Sequence, residues 1–226
     1  MAIARPKSLT ESVTEHLRAQ IVSGELGLGE HLSERRLAEA LEVSKTPVRE
    51  ALVQLRGEGL VQIIPQKGAV VFTLSAREVI EICEFRLALE TAALRLALER
   101  DRKGLHGAIA AVVGRMEKAM KAGRTTDYLD LDTAFHAAFF AHCGNTYLRE
   151  SYERYAGKIA ALRTHLAQKP SHTRLSFDEH VRLRDVFADG TLEEVTDILG
   201  EHIGRTRATY AAEVEDIARA DAERAA

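Results

Sequence analysis

The sequence predicts a mainly α protein with an N-terminal winged helix-turn-helix and a C-terminal all-α antiparallel helical bundle. Residues 33–58 contain two short helical patterns on either side of a tight turn, which is the layout of a helix-turn-helix. Two short apolar runs with a glycine-containing turn follow at 60–64 and 69–73 and predict a β-hairpin. Over residues 76–215 the apolar residues recur only at helical spacing.

Length and composition fit one large globular domain or two modest ones. Hydrophobic residues make up 46% of the 226 residues and charged residues 29%, which is typical of a folded chain. The change from strand to helix near Leu74 predicts domains at 1–74 and 75–226. The net charge is −3, and residues 1–74 carry nine basic and nine acidic side chains. Affinity for a polyanion would therefore have to come from the local placement of basic residues.

Three short helices are predicted in the N-terminal part. A capping box that begins at Ser8 starts the first helix, and Gly24 ends it. Ser33 caps the second helix. The third helix follows the turn at Val43 and Ser44, is capped by Ser44 or Thr46, and is stopped by Gly59.

A hairpin is predicted after the third helix. Its strands are Leu60–Ile64 and Ala69–Thr73, and the turn between them begins at Pro65. Gly68 can adopt the positive φ that such a turn requires. The hairpin therefore supplies the wing that accompanies the helix-turn-helix.

The third helix is the candidate recognition helix for a DNA major groove. Arg49 can donate two hydrogen bonds to guanine, and the wing tip can enter the minor groove. The alternative for any single arginine is a solvated charge on the surface. The candidate DNA-contacting residues are Arg35, Ser44, Lys45, Thr46, Arg49, Gln66, Lys67 and Gly68.

Six helices are predicted in the C-terminal part. Capping boxes at Ser75 and Thr191 begin the first and the last of them. The predicted ranges are 76–100, 104–122, 125–143, a helix from about 145, 172–188, and a last helix from about 191.

One carboxylate and three imidazoles are predicted to converge in this bundle. Asp132 and His136 are four residues apart and share a helical face. His180 and His202 lie about equally far from the turn at 189–190, so an antiparallel hairpin places them level. These ligands suit a divalent metal ion, with zinc as the first choice and nickel or manganese as alternatives. The other interpretation is that each is a hydrogen-bonded core residue.

Two further residues are candidates for binding an effector. Arg86 lies on an apolar helical face and could clamp the carboxylate of an organic acid beside the metal. An internal salt bridge to Glu90 is the alternative. Asn145 could contact the ligand or water, but it could also cap the helix that follows Gly144.

The N-terminal part resembles the DNA-binding domain of GntR-family transcriptional regulators over most of residues 9–73. The resemblance implies a homodimer on double-stranded operator DNA with an inverted repeat. The sequence departs from the family at Lys45, where arginine is common, and lysine lacks the bidentate fork. The motifs that carry the resemblance are Leu32-Ser-Glu, Leu37-Ala-Glu-Ala-Leu and Val43-Ser-Lys-Thr-Pro-Val-Arg-Glu-Ala-Leu52.

The C-terminal part resembles the FCD effector-binding domain of the FadR-type branch of that family, over about 76–215. The six predicted helices are closer to its shorter, VanR-like form. The resemblance implies that Asp132, His136, His180 and His202 hold the metal. The segments that carry it are Arg86-Leu-Ala-Leu-Glu90, Asp132-Thr-Ala-Phe-His136, Gly144-Asn145, Glu179-His180 and His202.

The sequence therefore predicts a regulator whose operator binding is modulated by a small organic acid bound near a metal. A purely structural metal is one alternative, and a metal-dependent hydrolase is another. Glu179 should point about 100° away from His180 on a helix, which leaves no evident general base beside the ligands. Cys83 and Cys143 form no metal-type pair, and the sequence has neither an apolar leader nor an 18-residue apolar run, so a cytoplasmic protein is expected.

Overall fold

The computed structural model describes residues 7–66, 68–166 and 170–225. The chain divides into two compact units, Met1–Thr73 and Leu74–Ala226. The elements of the first unit are α1 (Leu9–Ser23), β1 (His31–Leu32), α2 (Glu34–Ala40), α3 (Lys45–Gly57), β2 (Val61–Ile64) and β3 (Gly68–Val71).

The three helices of the first unit begin where the sequence predicts. Ser8 forms a full capping box with Glu11 at the start of α1, and Ser33 accepts a hydrogen bond at the start of α2. Ser44 occupies the cap position of α3, but its side chain makes no capping hydrogen bond. Helices α1 and α3 pack together through fully buried side chains such as Leu17 and Leu55. This core fixes the exposed face of α3.

The hairpin is part of a three-stranded antiparallel sheet with strand order β1-β3-β2. Ile64 pairs with Gly68 beside the turn, and Gly68 has a φ of +85°, which confirms the predicted positive φ. Strand β1 was not predicted, because two residues are too few to show an alternating pattern. Lys67, at the wing tip, lies outside the described residues.

The described residues of the second unit form helices joined by short turns, with no strand among them. Its elements are α4 (Ala76–Lys121), α5 (Thr125–His142), α6 (Thr146–Leu166), α7 (Pro170–Phe187) and α8 (Leu192–Ala225). Helix α4 packs against α5, α7 and α8. The capping boxes predicted at Ser75 and Thr191 are both formed. Among the described residues, no helix has the length and apolarity needed to cross a membrane.

Helix α4 contains two of the six predicted helices, which meet at a kink. The predicted break after residue 100 is a kink at Asp101, whose φ of −149° and ψ of 51° are not helical. The Asp101 carboxylate accepts a hydrogen bond from the Gly104 backbone N–H at 3.1 Å, as an N-cap does, and one from His142 Nδ1 at 2.6 Å. Helical hydrogen bonding resumes because this side chain supplies the missing acceptor.

Candidate metal centre and nucleic-acid interface

Three buried imidazoles meet inside the second unit. His136 lies on α5, His180 on α7 and His202 on α8, and ligand nitrogens of the three lie within 4.8 Å of one another. The ring centroids of His180 and His202 are 4.7 Å apart, so the two histidines are level, as equal distances from the helical turn predict. No histidine of this group is more than 2% exposed. We call these three residues the imidazole cluster.

Asp132 lies beside the imidazole cluster. Its carboxylate oxygens are 3.7 Å from His180 Nε2 and 3.9 Å from His136 Nε2. Arg163 on α6 forms an ion pair with Asp132, in which Nε lies 2.6 Å from Oδ2. The carboxylate is therefore ionised and oriented by a buried guanidinium, while it also faces two of the imidazoles.

His180 is the least satisfied polar side chain of the cluster. It is fully buried, and neither ring nitrogen has a hydrogen-bond partner among the described residues. A buried polar group without a partner costs about 1–3 kcal/mol. A metal ion is the partner that suits a neutral imidazole next to two others and a carboxylate. The donor set therefore fits a divalent metal ion.

A glutamate and an arginine orient His136. Its Nδ1 lies 2.8 Å from Glu90 Oε2, and its Nε2 lies 2.7 Å from Arg86 Nη2. Arginine can only donate, so Nε2 is the acceptor and Nδ1 carries the proton toward Glu90. Arg86 also donates from Nε to Glu90 Oε1 at 2.6 Å, which confirms the salt-bridge alternative for Arg86.

His202 is oriented in the same manner by Glu179. The Glu179 Oε2 atom accepts from His202 Nδ1 at 2.7 Å, and Arg205 Nε donates to Oε1 at 2.7 Å. The sequence predicted that Glu179 would point away from His180, but it did not predict the contact between Glu179 and His202. Glu179 does leave His180, but it then meets His202 on the neighbouring helix. A carboxylate behind a ligating imidazole is a common feature of metal sites.

The protonation states suit metal binding near neutral pH. Burial lowers the pKa of His180 to about 3, and burial together with Arg86 keeps the pKa of His136 well below its ordinary value. Burial alone would raise the pKa of Asp132, but Arg163 and the neighbouring imidazoles hold it below its ordinary value. Neutral imidazoles and an ionised carboxylate are the forms that bind metal.

A small cavity adjoins the imidazole cluster. Its volume is about 10 Å³, which is about the space of one water molecule. Arg86 and Arg163 both line it, together with the tyrosines Tyr128 and Tyr210. Asn145 is not among the described residues that line it. Its Oδ1 instead accepts from the Leu148 backbone N–H at 3.2 Å, so the capping alternative for Asn145 is confirmed.

The candidate DNA-contacting residues are exposed wherever the structure describes them. Arg49 on α3 is 63% exposed, and its Nε donates to Glu34 Oε2 on α2 at 2.6 Å. Arg35 is 72% exposed and faces Glu39 at 3.9 Å. The others that are described and exposed are Ser44, Lys45, Thr46, Gln66 and Gly68.

Family models match both units. The model described as bacterial regulatory proteins of the gntR family matches residues 9–71. The FCD domain model matches residues 81–205, which is more than half of the chain. The first match covers the helix-turn-helix and the wing, and the second covers the kinked helix and the imidazole cluster. These two models imply DNA and a small-molecule effector as partners.

Similar proteins agree with these matches. The chain is 30% identical to the Nta operon transcriptional regulator of Aminobacter aminovorans, over 77% of this chain and 81% of that protein. It is 28% identical to the uncharacterized HTH-type transcriptional regulator BphR of Paraburkholderia xenovorans, over 89% and 84% of the two chains. The solved structure of McbR/YncC from E. coli has the same fold, with a TM-score of 0.79, 24% identity, and coverage of 92% of this chain and 99% of that one. The chain therefore belongs to the GntR family of bacterial transcriptional regulators and carries an FCD domain.

Proposed function

We propose that this regulator binds an operator sequence as a homodimer, and that a small organic acid held near a metal in the FCD domain modulates this binding. Asp132, His136, His180 and His202 would hold the ion. Zinc is the first choice, because three imidazoles and a carboxylate form a ligand set that it prefers, while nickel or manganese remain alternatives. The exposed residues of α2, α3 and the wing would contact DNA.

One observation carries the proposal for the FCD domain. His180 is fully buried with two ring nitrogens that lack partners, while the rings on either side are each fixed by a glutamate. An ordinary core histidine would hydrogen-bond with a neighbour. The glutamates orient His136 and His202 so that one nitrogen of each is directed away from its carboxylate. A common ion would give His180 a partner, would bind the nitrogen of His202 that faces away from Glu179, and would replace Arg86 Nη2 at His136 Nε2.

The residues of the chain have separate tasks in this proposal. A bound divalent ion would supply a fixed positive charge that attracts a carboxylate. Glu90 and Glu179 hold the tautomers of His136 and His202, and burial excludes competing water. Effector binding would change the equilibrium between conformations that differ in operator affinity, by as much as the acid differs in its affinity for them.

Two measurements on the full chain test the proposal. Elemental analysis of the purified protein should find one divalent ion per chain, and none after substitution of His180 by leucine. Footprinting on the DNA upstream of its own gene should then show a protected inverted repeat whose affinity changes when a panel of organic acids is added. Absence of a metal, or a footprint that no acid alters, contradicts the corresponding half of the proposal.

A purely structural metal is the second candidate, and the size of the cavity favours it. A cavity of about 10 Å³ admits no organic acid unless its walls move. If the ion is structural, chelation should destabilise the fold while organic acids leave operator affinity unchanged.

A further inference from the structure

Arg163, whose guanidinium lines the cavity beside the imidazole cluster, has a nitrogen that its internal contacts do not use. Arg163 on α6 is 5% exposed. Its Nε pairs with Asp132, and its Nη1 donates to Thr133 Oγ1 at 2.7 Å. Its Nη2 is buried and has no hydrogen-bond partner in the part of the chain that the structure describes. An unpaired donor on a buried cation is costly, so a ligand acceptor at this atom would be favoured.

The two neighbouring guanidinium groups also make internal contacts. Arg86 directs Nε to Glu90 and Nη2 to His136. Arg205 directs Nε and Nη2 to Glu179, and Nη1 to His172 at 2.8 Å. To bind a carboxylate, Arg205 would have to give up a bond to Glu179 or His172. Arg86 would have to give up a bond to Glu90 or His136 if it bound through Nε or Nη2. Arg163 would lose no contact of this kind.

The charges of the cluster also favour an anionic ligand. Three buried or half-buried ion pairs surround the imidazoles, namely Arg86 with Glu90, Arg163 with Asp132, and Arg205 with Glu179. Each pair is neutral as a unit. A divalent cation among neutral imidazoles would therefore add buried positive charge that the pairs do not offset, and an uncompensated buried charge is unfavourable. A monoanion or dianion beside the ion reduces this charge.

We propose that Arg163 Nη2 is the anchor for the carboxylate of the effector, and that the effector is a short organic acid held between α6, α7 and α8. This inference rests on the proposed function and assigns its recognition step to a particular atom. Ser176 and Thr206 line the same cavity and offer hydroxyl groups to the remainder of the acid. The cavity is about 10 Å³, so the acid must displace the lining side chains as it enters. That displacement provides the conformational difference on which regulation depends.

The test uses the zinc-loaded full chain and three probes, the sodium salts of acetate, propionate and succinate, at constant ionic strength. Acetamide, propionamide and succinamide serve as neutral controls of the same shapes. The variant Arg163→Lys keeps the positive charge beside Asp132 but removes Nη2. Arg102→Lys is the matched control, because the Arg102 guanidinium also donates internally, to the carbonyls of Phe187 and Gly190, but does not line the cavity.

At least one acid should raise the melting temperature of the wild-type chain more than its amide does. Arg163→Lys should keep one zinc per chain and bind that acid roughly tenfold or more weakly, since a bidentate or charge-assisted contact is lost. Arg102→Lys should bind the acid within about twofold of wild type. Equal affinity in Arg163→Lys and wild type would overturn the assignment of Arg163 while leaving the proposed function intact.

Two other outcomes separate this inference from the function on which it rests. If no acid stabilises the zinc-loaded wild type more than its amide, the proposed effector class fails, and the inference fails with it. If Arg163→Lys does not fold, a crystal structure of the zinc-loaded wild type with the best acid decides the question. A carboxylate oxygen within hydrogen-bond distance of Arg163 Nη2 supports the inference, and a carboxylate held elsewhere refutes it.

Discussion

At the scale of single residues, His180 combines full burial with an absence of hydrogen-bond partners among the described residues. Phe135 lies against its ring, with the centroids 4.2 Å apart, and this contact gives packing but no acceptor. Without a metal the residue therefore lowers the stability of the fold. A side chain that is unfavourable for folding and adjacent to two other imidazoles is a candidate for a binding function.

Substitution of His180 by leucine should change metal binding and stability in opposite directions. The variant should lose stoichiometric zinc, because one of the three imidazoles is gone. The chelator-treated variant should nevertheless be about 1–2 kcal/mol more stable than chelator-treated wild type, since an unpartnered buried polar group is replaced by an apolar one. Elemental analysis and urea unfolding measure the two effects. His106→Leu, outside the imidazole cluster, is the control, and zinc retention by His180→Leu would contradict the site.

His172 should make the metal-free protein sensitive to acid. Burial and the Arg205 guanidinium lower the pKa of His172 to about 4 in the folded chain, below its ordinary value of 6.5. The unfolded chain therefore binds the extra proton first, so stability is retained above about pH 6.5 and is lost as the pH falls toward 4. His172→Asn should lose less stability between these pH values. Urea midpoints of chelator-treated wild type and variant measure this, and parallel losses would exclude the effect.

At the scale of elements, the contact between α2 and α3 shapes the surface that we propose contacts DNA. Glu34 on α2 holds the Nε edge of Arg49 on α3, which leaves the two Nη groups of Arg49 for a guanine edge. The pair is substantially exposed, so it adds little to stability in solution. In the proposed interface the pair would orient the guanidinium, and Glu34 would place a negative charge near the DNA phosphates.

Substitution of Glu34 by glutamine should therefore raise affinity for random DNA and lower discrimination. Loss of a negative charge strengthens non-specific binding, whereas a less constrained Arg49 reads its base less strictly. Arg49→Ala should reduce discrimination further, by about 1–3 kcal/mol at one base pair. Titrations on the footprinted operator, on a mutated operator and on random duplex measure both effects. Glu25→Gln, which removes the same charge from an exposed position, should leave discrimination unchanged.

Local sequence signals predicted most elements, and packing explains the exceptions. Capping boxes at Ser8, Ser75 and Thr191 depend on neighbours three residues away, so the sequence displays them directly. The sequence predicts a break at the kink, because the apolar residues before and after Asp101 form two separate helical patterns. The Asp101 carboxylate that caps the second half of α4 also accepts a hydrogen bond from His142. His142 is 41 residues away, so the spacing of apolar residues does not predict this contact.

The same distinction between local signals and distant contacts applies to the candidate site. The sequence predicted that the four proposed ligands converge. His180 and His202 lie about equally far from the turn at 189–190, so the rise per residue places them at the same height in an antiparallel hairpin. The sequence did not reveal Arg163, or the pairing of Glu179 with His202. These contacts join residues on different helices, and their geometry follows from how the helices are rotated against one another. A charged residue on an otherwise buried face, as at Arg163, is the signal that could have drawn attention to it.

At the scale of the whole molecule, one helix-turn-helix contacts too few base pairs to specify a genomic site. We therefore expect a homodimer that places two α3 helices about 34 Å apart, one turn of DNA. Sedimentation should give twice the mass of one chain.

Insertion of about five base pairs at the centre of the footprinted repeat rotates one half-site by half a turn. Affinity should fall by roughly tenfold or more, toward that of a single half-site. An equal number of base pairs added outside the repeat is the control. An insertion that leaves affinity unchanged would show that each chain binds its half-site independently.

The hydrogen bond between Asp101 and His142 joins the bend of α4 to the last turn of α5. His142 lies six residues beyond His136, or about 9 Å along the same helix axis. If α5 tilted as a rigid body at the imidazole cluster, His142 would move with it. The movement would displace the Asp101 carboxylate, which caps the second half of α4. The kink of α4 is thus hydrogen-bonded to α5, the helix that would respond to a bound metal or effector.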